Sequence, residues 1–274
     1  MAVTLALDAL TALELQPTEL VDAAVRNGCH VVSVIVQRSR LFPSTPDYDL
    51  IGDTVARRAL RQKVNELDVN IDTVEAFVID QHCDPELFRP AFETAVFLGA
   101  TAINTLAIDR LMNRLANSYG RICEIAREYR LSVYTEVHRT LAHNSIAAAV
   151  EFAKVANVDL KIELDALHFF RYGGTLEEIK LNSEWIGRAQ LSDGPAHATD
   201  AEYRLESLSS RQIPGHGVLP LADFVRTLPS DIVVGVEVPH PDLGAEERIA
   251  RSVDACRSLI KRAFSEEHLN DGHS

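Results

Sequence analysis

The feature that most constrains this chain is an alternation. Short runs rich in β-branched residues recur along it, each followed by a longer amphipathic stretch, and the pattern repeats eight times. Strands are expected at 3–7, 30–37, within 69–79, and at 102–108, 131–137, 159–164, 187–191 and 232–238. Helices are expected between them: 17–27, 53–68, 85–98, 110–130, 145–156, 176–185, 220–228 and the closing 246–264. The helix at 85–98 opens with Pro85 and stops before Gly99, the usual start and stop signals. Strands alternating with helices imply crossover units and a parallel sheet. Eight such units in 274 residues predict a closed (β/α)8 TIM barrel, with 1–274 forming a single domain. The rival is an open doubly wound sheet, which normally carries a glycine-rich turn after its first strand; Ala6-Leu7-Asp8-Ala9-Leu10 has no glycine.

One connection breaks the rhythm. Residues 193–219 join the seventh strand to its helix with no obvious element. Connections that long inside a compact domain are usually functional, and in a barrel this one lies on the catalytic face. It is read as an active-site lid.

The net charge of −13 repels phosphate backbones and anionic lipid, so neither nucleic acid nor membrane is expected as a partner. No stretch is apolar for long enough to span a bilayer. The N-terminus reads as a strand and lacks the basic-then-apolar pattern of a signal peptide. Cys29, Cys83, Cys123 and Cys256 are scattered with no CxxC pair, which predicts reduced, buried thiols in a cytoplasmic protein.

The chemistry sits at strand ends. Glu136 and His138 close the fifth strand (TEVH), Asp165 and His168 the sixth (LDALH), Gln190 and Asp193 the seventh (QLSD), and Glu237 and His240 the eighth (EVPH). Any one of these alone reads as a paired carboxylate or a hydrogen-bonded histidine. On consecutive strands of a barrel they point into one mouth. Burying that many uncompensated carboxylates is costly, and a divalent cation held by Glu136, Asp165, Gln190 and Glu237 resolves it. His138 faces the same way as Glu136 by strand alternation, and histidine suits acid or base work near neutral pH. Arg211 is the candidate for gripping a substrate carboxylate. Arg38 and Arg40 read as a solvated loop, His197 and His216 as loop histidines, and His82, His268 and His273 carry no signal.

Glu-x-His, Asp-x-x-His, a seventh-strand residue three before Asp, and Gly-x-Glu-x-Pro together resemble the xylose isomerase-like barrel superfamily. Its members include sugar and inositol epimerases, isomerases, dehydratases and the endonuclease IV group. The resemblance implies one metal held through Glu136, Asp165, Gln190 and Glu237, and a substrate-contacting role for His168. Arg211-Gln-Ile-Pro-Gly-His-Gly is similar to the family stretch in which an arginine and a Pro-Gly turn border the substrate. Gln190 departs from the family's usual histidine. An all-oxygen set favours Mn2+ or Mg2+ over Zn2+. Some 3-dehydroshikimate dehydratases are similar in carrying glutamine there.

The implied chemistry is proton abstraction beside a carbonyl through an enediolate. The expectation is a metal-dependent isomerase or epimerase of a small sugar, polyol or keto-acid, with Glu136 and Glu237 on opposite sides of the substrate. The alternative is a dehydratase of a cyclic keto-polyol such as 3-dehydroshikimate or inosose, with His138 or His168 serving as base or acid. A repair endonuclease would need an Asp-x-His after the seventh strand, which Asp193-Gly-Pro and Asp200-Ala-Glu do not supply. A non-catalytic barrel would be expected to have lost part of this set. The habit of relatives implies a homo-oligomer.

Overall fold

The computed structural model describes residues 3–37, 45–240 and 242–265; Arg38, Arg40, His268 and His273 lie outside the described residues. Eight parallel strands close into a barrel in chain order: β1 (Thr4–Leu7), β2 (Val31–Ile35), β3 (Asn70–Ile79), β4 (Ala102–Ala107), β5 (Ser132–Glu136), β6 (Lys161–Asp165), β7 (Ile186–Leu191) and β8 (Val233–Val236). β8 returns to β1 with Ala6 opposite Gly235. Among the described residues ten α-helices accompany them: α1 (Pro17–Arg26), α2 (Val55–Glu66), α3 (Arg89–Leu98), α4 (Met112–Glu128), α5 (Ile146–Ala156), α6 (Ala166–Arg171), α7 (Leu176–Leu181), α8 (Asp200–Leu208), α9 (Leu221–Thr227) and α10 (Ala245–Ser265). This is the expected single-domain (β/α)8 barrel. No helix among the described residues is long and apolar enough to cross a membrane.

Local chemistry sets most boundaries. Pro17 occupies the first turn of α1, where Gln16 and Glu19 form a reciprocal capping box. Ser145 caps α5, and Gly99 ends α3 in the left-handed conformation. Three expectations change. The helix expected at 85–98 splits into a 3-10 turn, Pro85–Phe88, followed by α3. α6 starts directly off β6, because the Asp165 carboxylate accepts the His168 N–H and caps it. The 193–219 connection contains α8, opened by a Thr199/Glu202 capping box.

The hydrophobic core lies between strands and helices. Phe92 of α3, Ile122 of α4, Phe152 of α5, Phe224 of α9 and Val253 of α10 belong to it. Cys29, Cys123 and Cys256 are buried free thiols; Cys83 is only partly buried. The Tyr119 hydroxyl of α4 bonds the strand hydroxyls of Thr105 and Thr135.

The barrel interior differs from the usual layers of branched aliphatic side chains. Arg188 fills its centre at 1% exposure. Its guanidinium donates to Asp72 at 2.8 Å, to Asp8 and to Glu163. Asp8 reaches this layer because β8 carries no side chain at Gly235. A methyl group there would overlap the Asp8 carboxylate. Gly235→Ala is therefore expected to cost about 3 kcal/mol by forcing that carboxylate off its partners, a fall of roughly 10 °C in Tm by thermal denaturation. An unchanged Tm would show that Asp8 tolerates displacement.

Candidate functional site

Register brings the strand ends together. Glu136 pairs with Glu163 across β5 and β6, Asp165 with Gln190 across β6 and β7, and Gln190 with Gly235 across β7 and β8. Side chains two residues apart share a face. Glu163 and Asp165, Arg188 and Gln190, and Gly235 and Glu237 therefore stack in successive layers inside the barrel.

The upper layer is tightly bonded. Arg211 Nη1 donates to Asp165 Oδ2 at 2.6 Å and to Glu237 Oε2 at 2.7 Å. Gln190 Nε2 donates to Glu237 Oε1 at 2.8 Å and to Asp8 Oδ2 at 3.0 Å. His168 Nε2 stands 3.1 Å from Glu136 Oε1, and its Nδ1 lies 2.9 Å from the Tyr203 hydroxyl. The Arg211 guanidinium can only donate and its Nη2 faces the same Nε2 at 3.3 Å, so Nε2 accepts there and Nδ1 donates to the Tyr203 hydroxyl. The His138 ring stacks 4.1 Å from that of His168. His138 Nδ1 accepts the Thr140 N–H at 3.1 Å, leaving Nε2 to donate to Ser207 Oγ at 3.1 Å.

Burial sets the electrostatics. It lowers His138 to about 2, with His168, Arg211 and Arg139 adding repulsion, so this ring stays neutral. Burial pushes Asp165 up, but Arg211 and His168 outweigh it and the group sits below the usual carboxylate range. Burial raises Glu237 well above that range; Arg211 offsets only part of this, and Asp165 adds repulsion. One guanidinium bridges both carboxylates, and Asp165 keeps the charge more readily.

Above this layer opens a cavity of ≈ 410 Å³, lined in part by Glu136, His138, His168, Tyr203, Arg211 and Glu237. Of the strand-end residues and arginine proposed from sequence, Glu136, His138, His168, Arg211 and Glu237 line it; Asp165 and Gln190 lie buried beneath, and Asp193 and His240 are not part of the lining. Arg211 is 2% exposed. Its other donors already face the Glu206 and Ser207 carbonyls and His168. Asp193 does not enter the mouth. Its carboxylate accepts the backbone N–H groups of Gly194, Gly215, Gly217 and Leu219, fixing the Pro-Gly turn.

The donors suit a hard divalent cation. Glu136, Asp165 and Glu237 carry oxygen donors only, and Gln190, whose Nε2 is turned to Glu237, leaves its Oε1 buried without a partner. One layer down, Asp8, Glu75 and Glu163 each place a ligand oxygen within 4.8 Å of the others. Interior carboxylates outnumber the two interior guanidiniums, Arg188 and Arg211. Burial raises Glu75 and Glu163 well above the ordinary range, the response of acids short of positive charge.

The sequence matches the xylose isomerase-like TIM barrel family over residues 21–259. The chain belongs to that family. No curated protein matches it. Among solved structures, a xylose isomerase-like TIM barrel/4-hydroxyphenylpyruvate dioxygenase fusion protein superposes with TM-score 0.78 at 16% identity, covering 99% of this chain; the chain spans only 45% of that protein. The IolI protein, solved with a bound zinc atom, gives 0.74 at 20% identity, over 96% of this chain and 99% of its own. The probable 3-DHS dehydratase AsbF of Bacillus anthracis gives 0.72 at 15%, over 93% and 98%. At these identities the likeness establishes the fold.

Sequence reasoning missed the lower layer of Asp8, Glu75, Glu163 and Arg188, together with Tyr203 and Ser207. Glu163 and Arg188 were findable, since each lies two residues before a proposed ligand on the same inward face. Tyr203 and Ser207 sit on α8, whose Thr-x-x-Glu start was the available signal.

His143 packs beside the site, bonded to Thr135 through Nδ1 at 2.8 Å, and burial lowers it to about 4. The native state resists protonating it while the unfolded chain does not. Its contribution is complete above pH ~6.5 and is lost as pH falls towards 4. Between pH 7 and 4, wild type should lose more Tm than His143→Gln; parallel curves would remove His143 as the acid-labile group.

Proposed function

We propose that the chain is a divalent-metal-assisted lyase that dehydrates a cyclic hydroxy-ketone. The observation carrying this reading is the state of Glu237. An epimerase must return the proton to the opposite face of the substrate, which needs a second available base. Glu237 has Oε1 tied to Gln190 and Oε2 to Arg211. Glu136 is the carboxylate left open to the cavity, with no hydrogen bond of its own among the described residues and His168 Nε2 3.1 Å from its Oε1. A one-sided acid–base group suits elimination better than inversion.

Glu136 takes the proton from the carbon beside the carbonyl, and the electron pair passes into the substrate's enolate. The enolate collapses to a carbon–carbon double bond as the β-hydroxyl leaves with the proton that Glu136 returns, releasing water. The His168 ring stands beside Glu136, held by Arg211 at Nε2 and by Tyr203 at Nδ1. His138 is neutral with both nitrogens bonded, so it packs against His168 and orients it. Glu136, Asp165, Gln190 and Glu237 would hold the cation, which when bound draws electron density from the substrate carbonyl. The oxygen-only set supports Mn2+ or Mg2+, and the AsbF likeness is consistent with a dehydratase.

The test is proton NMR in D2O with Mg2+, on 3-dehydroshikimate, an inosose and a ketohexose. A conjugated or aromatic product formed with loss of water is expected from a cyclic substrate, and Glu136→Gln should lower its rate at least ~100-fold. Deuterium entering an otherwise intact sugar, with a new stereoisomer, would establish the isomerase or epimerase reading instead. For the metal, competitive loading followed by elemental analysis should show Gln190→His shifting preference towards Zn2+. An unchanged profile would count against Gln190 as a ligand.

A further inference from the structure

The cavity has two kinds of wall and one loose cation. Its floor is polar, formed by Glu75, Asn104, Glu136, His168, Arg211 and Glu237. Six aliphatic side chains also line it, Leu10, Ala76, Leu106, Ile108, Leu141 and Leu208, while the hydroxyls of Thr140, Tyr203 and Ser207 in the same lining are already bonded to His138 and His168. Arg204 of α8 also lines it, exposed and without a hydrogen-bond or ion-pair partner among the described residues.

That freedom is unusual for this helix. Asp200 is paired with Arg139, Glu206 with Arg171, and Glu202 caps the helix start. Every acidic group on α8 is thus taken, and Arg204 remains a surplus cation in a chain of net charge −13. Arg211 cannot supply the anion site, because its donors are spent on protein acceptors.

A free sugar carries a hydroxyl on nearly every carbon. Against the leucine and isoleucine sides those hydroxyls would lose water and gain no partner. A hydrocarbon ring loses nothing there. We propose that the substrate is an amphipathic carboxylate: oxygens at the reacting end on the polar floor, an apolar ring between the aliphatic sides, and a carboxylate at Arg204. This rests on the cavity being the substrate site, as in the function proposed above, and makes Arg204 and the aliphatic belt its specificity determinants.

Isothermal titration of the full chain with Mg2+ tests it through three probes: 3,4-dihydroxybenzoate, 1,2-dihydroxybenzene and myo-inositol. The first two share a ring and adjacent oxygens and differ in the carboxylate, so any metal chelation is common to both. The benzoate should bind about fivefold tighter than the dihydroxybenzene, with no binding of inositol at millimolar concentration. Arg204→Met should close that gap while leaving dihydroxybenzene affinity unchanged. Ile108→Asn should weaken both aromatic probes alike. A gap that survives in Arg204→Met, inositol binding as tightly as dihydroxybenzene, or no binding by any probe would each overturn the proposal. Binding requires no turnover: the stated ranking without dehydration would sink the reaction assigned above and leave the substrate class standing.

Discussion

Two guanidiniums hold the inside of this barrel together. Arg188 bonds Asp8, Asp72 and Glu163, and Arg211 bonds Asp165 and Glu237 one layer higher. An apolar interior would have been cheaper, since buried ion pairs recover their desolvation cost only with excellent geometry. The carboxylates concentrate acidic oxygen at the C-terminal mouth, and the arginines make that tolerable. Gln190 couples the layers by donating to both Asp8 and Glu237. Gly235 is the steric condition for all of it, because the Asp8 carboxylate occupies the space of a missing side chain.

The 193–219 connection depends on the same interactions. α8 does more than cover the cavity, for Tyr203 accepts from His168 and Ser207 accepts from His138. Arg211 bonds the carbonyls of Glu206 and Ser207 at the end of this helix while reaching down to the strand carboxylates. Displacing α8 would loosen both histidines and the charge balance beneath them. Asp193 anchors the far side of the segment by collecting the N–H groups of the Pro-Gly turn. A connection that looked featureless is tied at both ends to the floor it covers.

The balance between likeness and difference follows from where these residues sit. Family membership rests on the match over residues 21–259. The proposed choice between reactions turns on which oxygens are free. Glu136 faces the cavity unbonded among the described residues, and Glu237 is tied twice. The aliphatic sides and Arg204 then bear on what could lie against Glu136.

The sequence by itself determined the eight strand–helix units, the barrel they close, and the strand ends that carry Glu136, Asp165, Gln190 and Glu237. These are local or periodic signals, and periodicity survives without knowledge of the fold. Only tertiary structure decided that Arg211 would spend its donors on Asp165 and Glu237, since that contact joins residues 46 and 26 positions away. The same holds for Asp8 meeting Arg188 across 180 residues. Pairings of that span depend on barrel closure and strand register, which no short stretch of chain encodes.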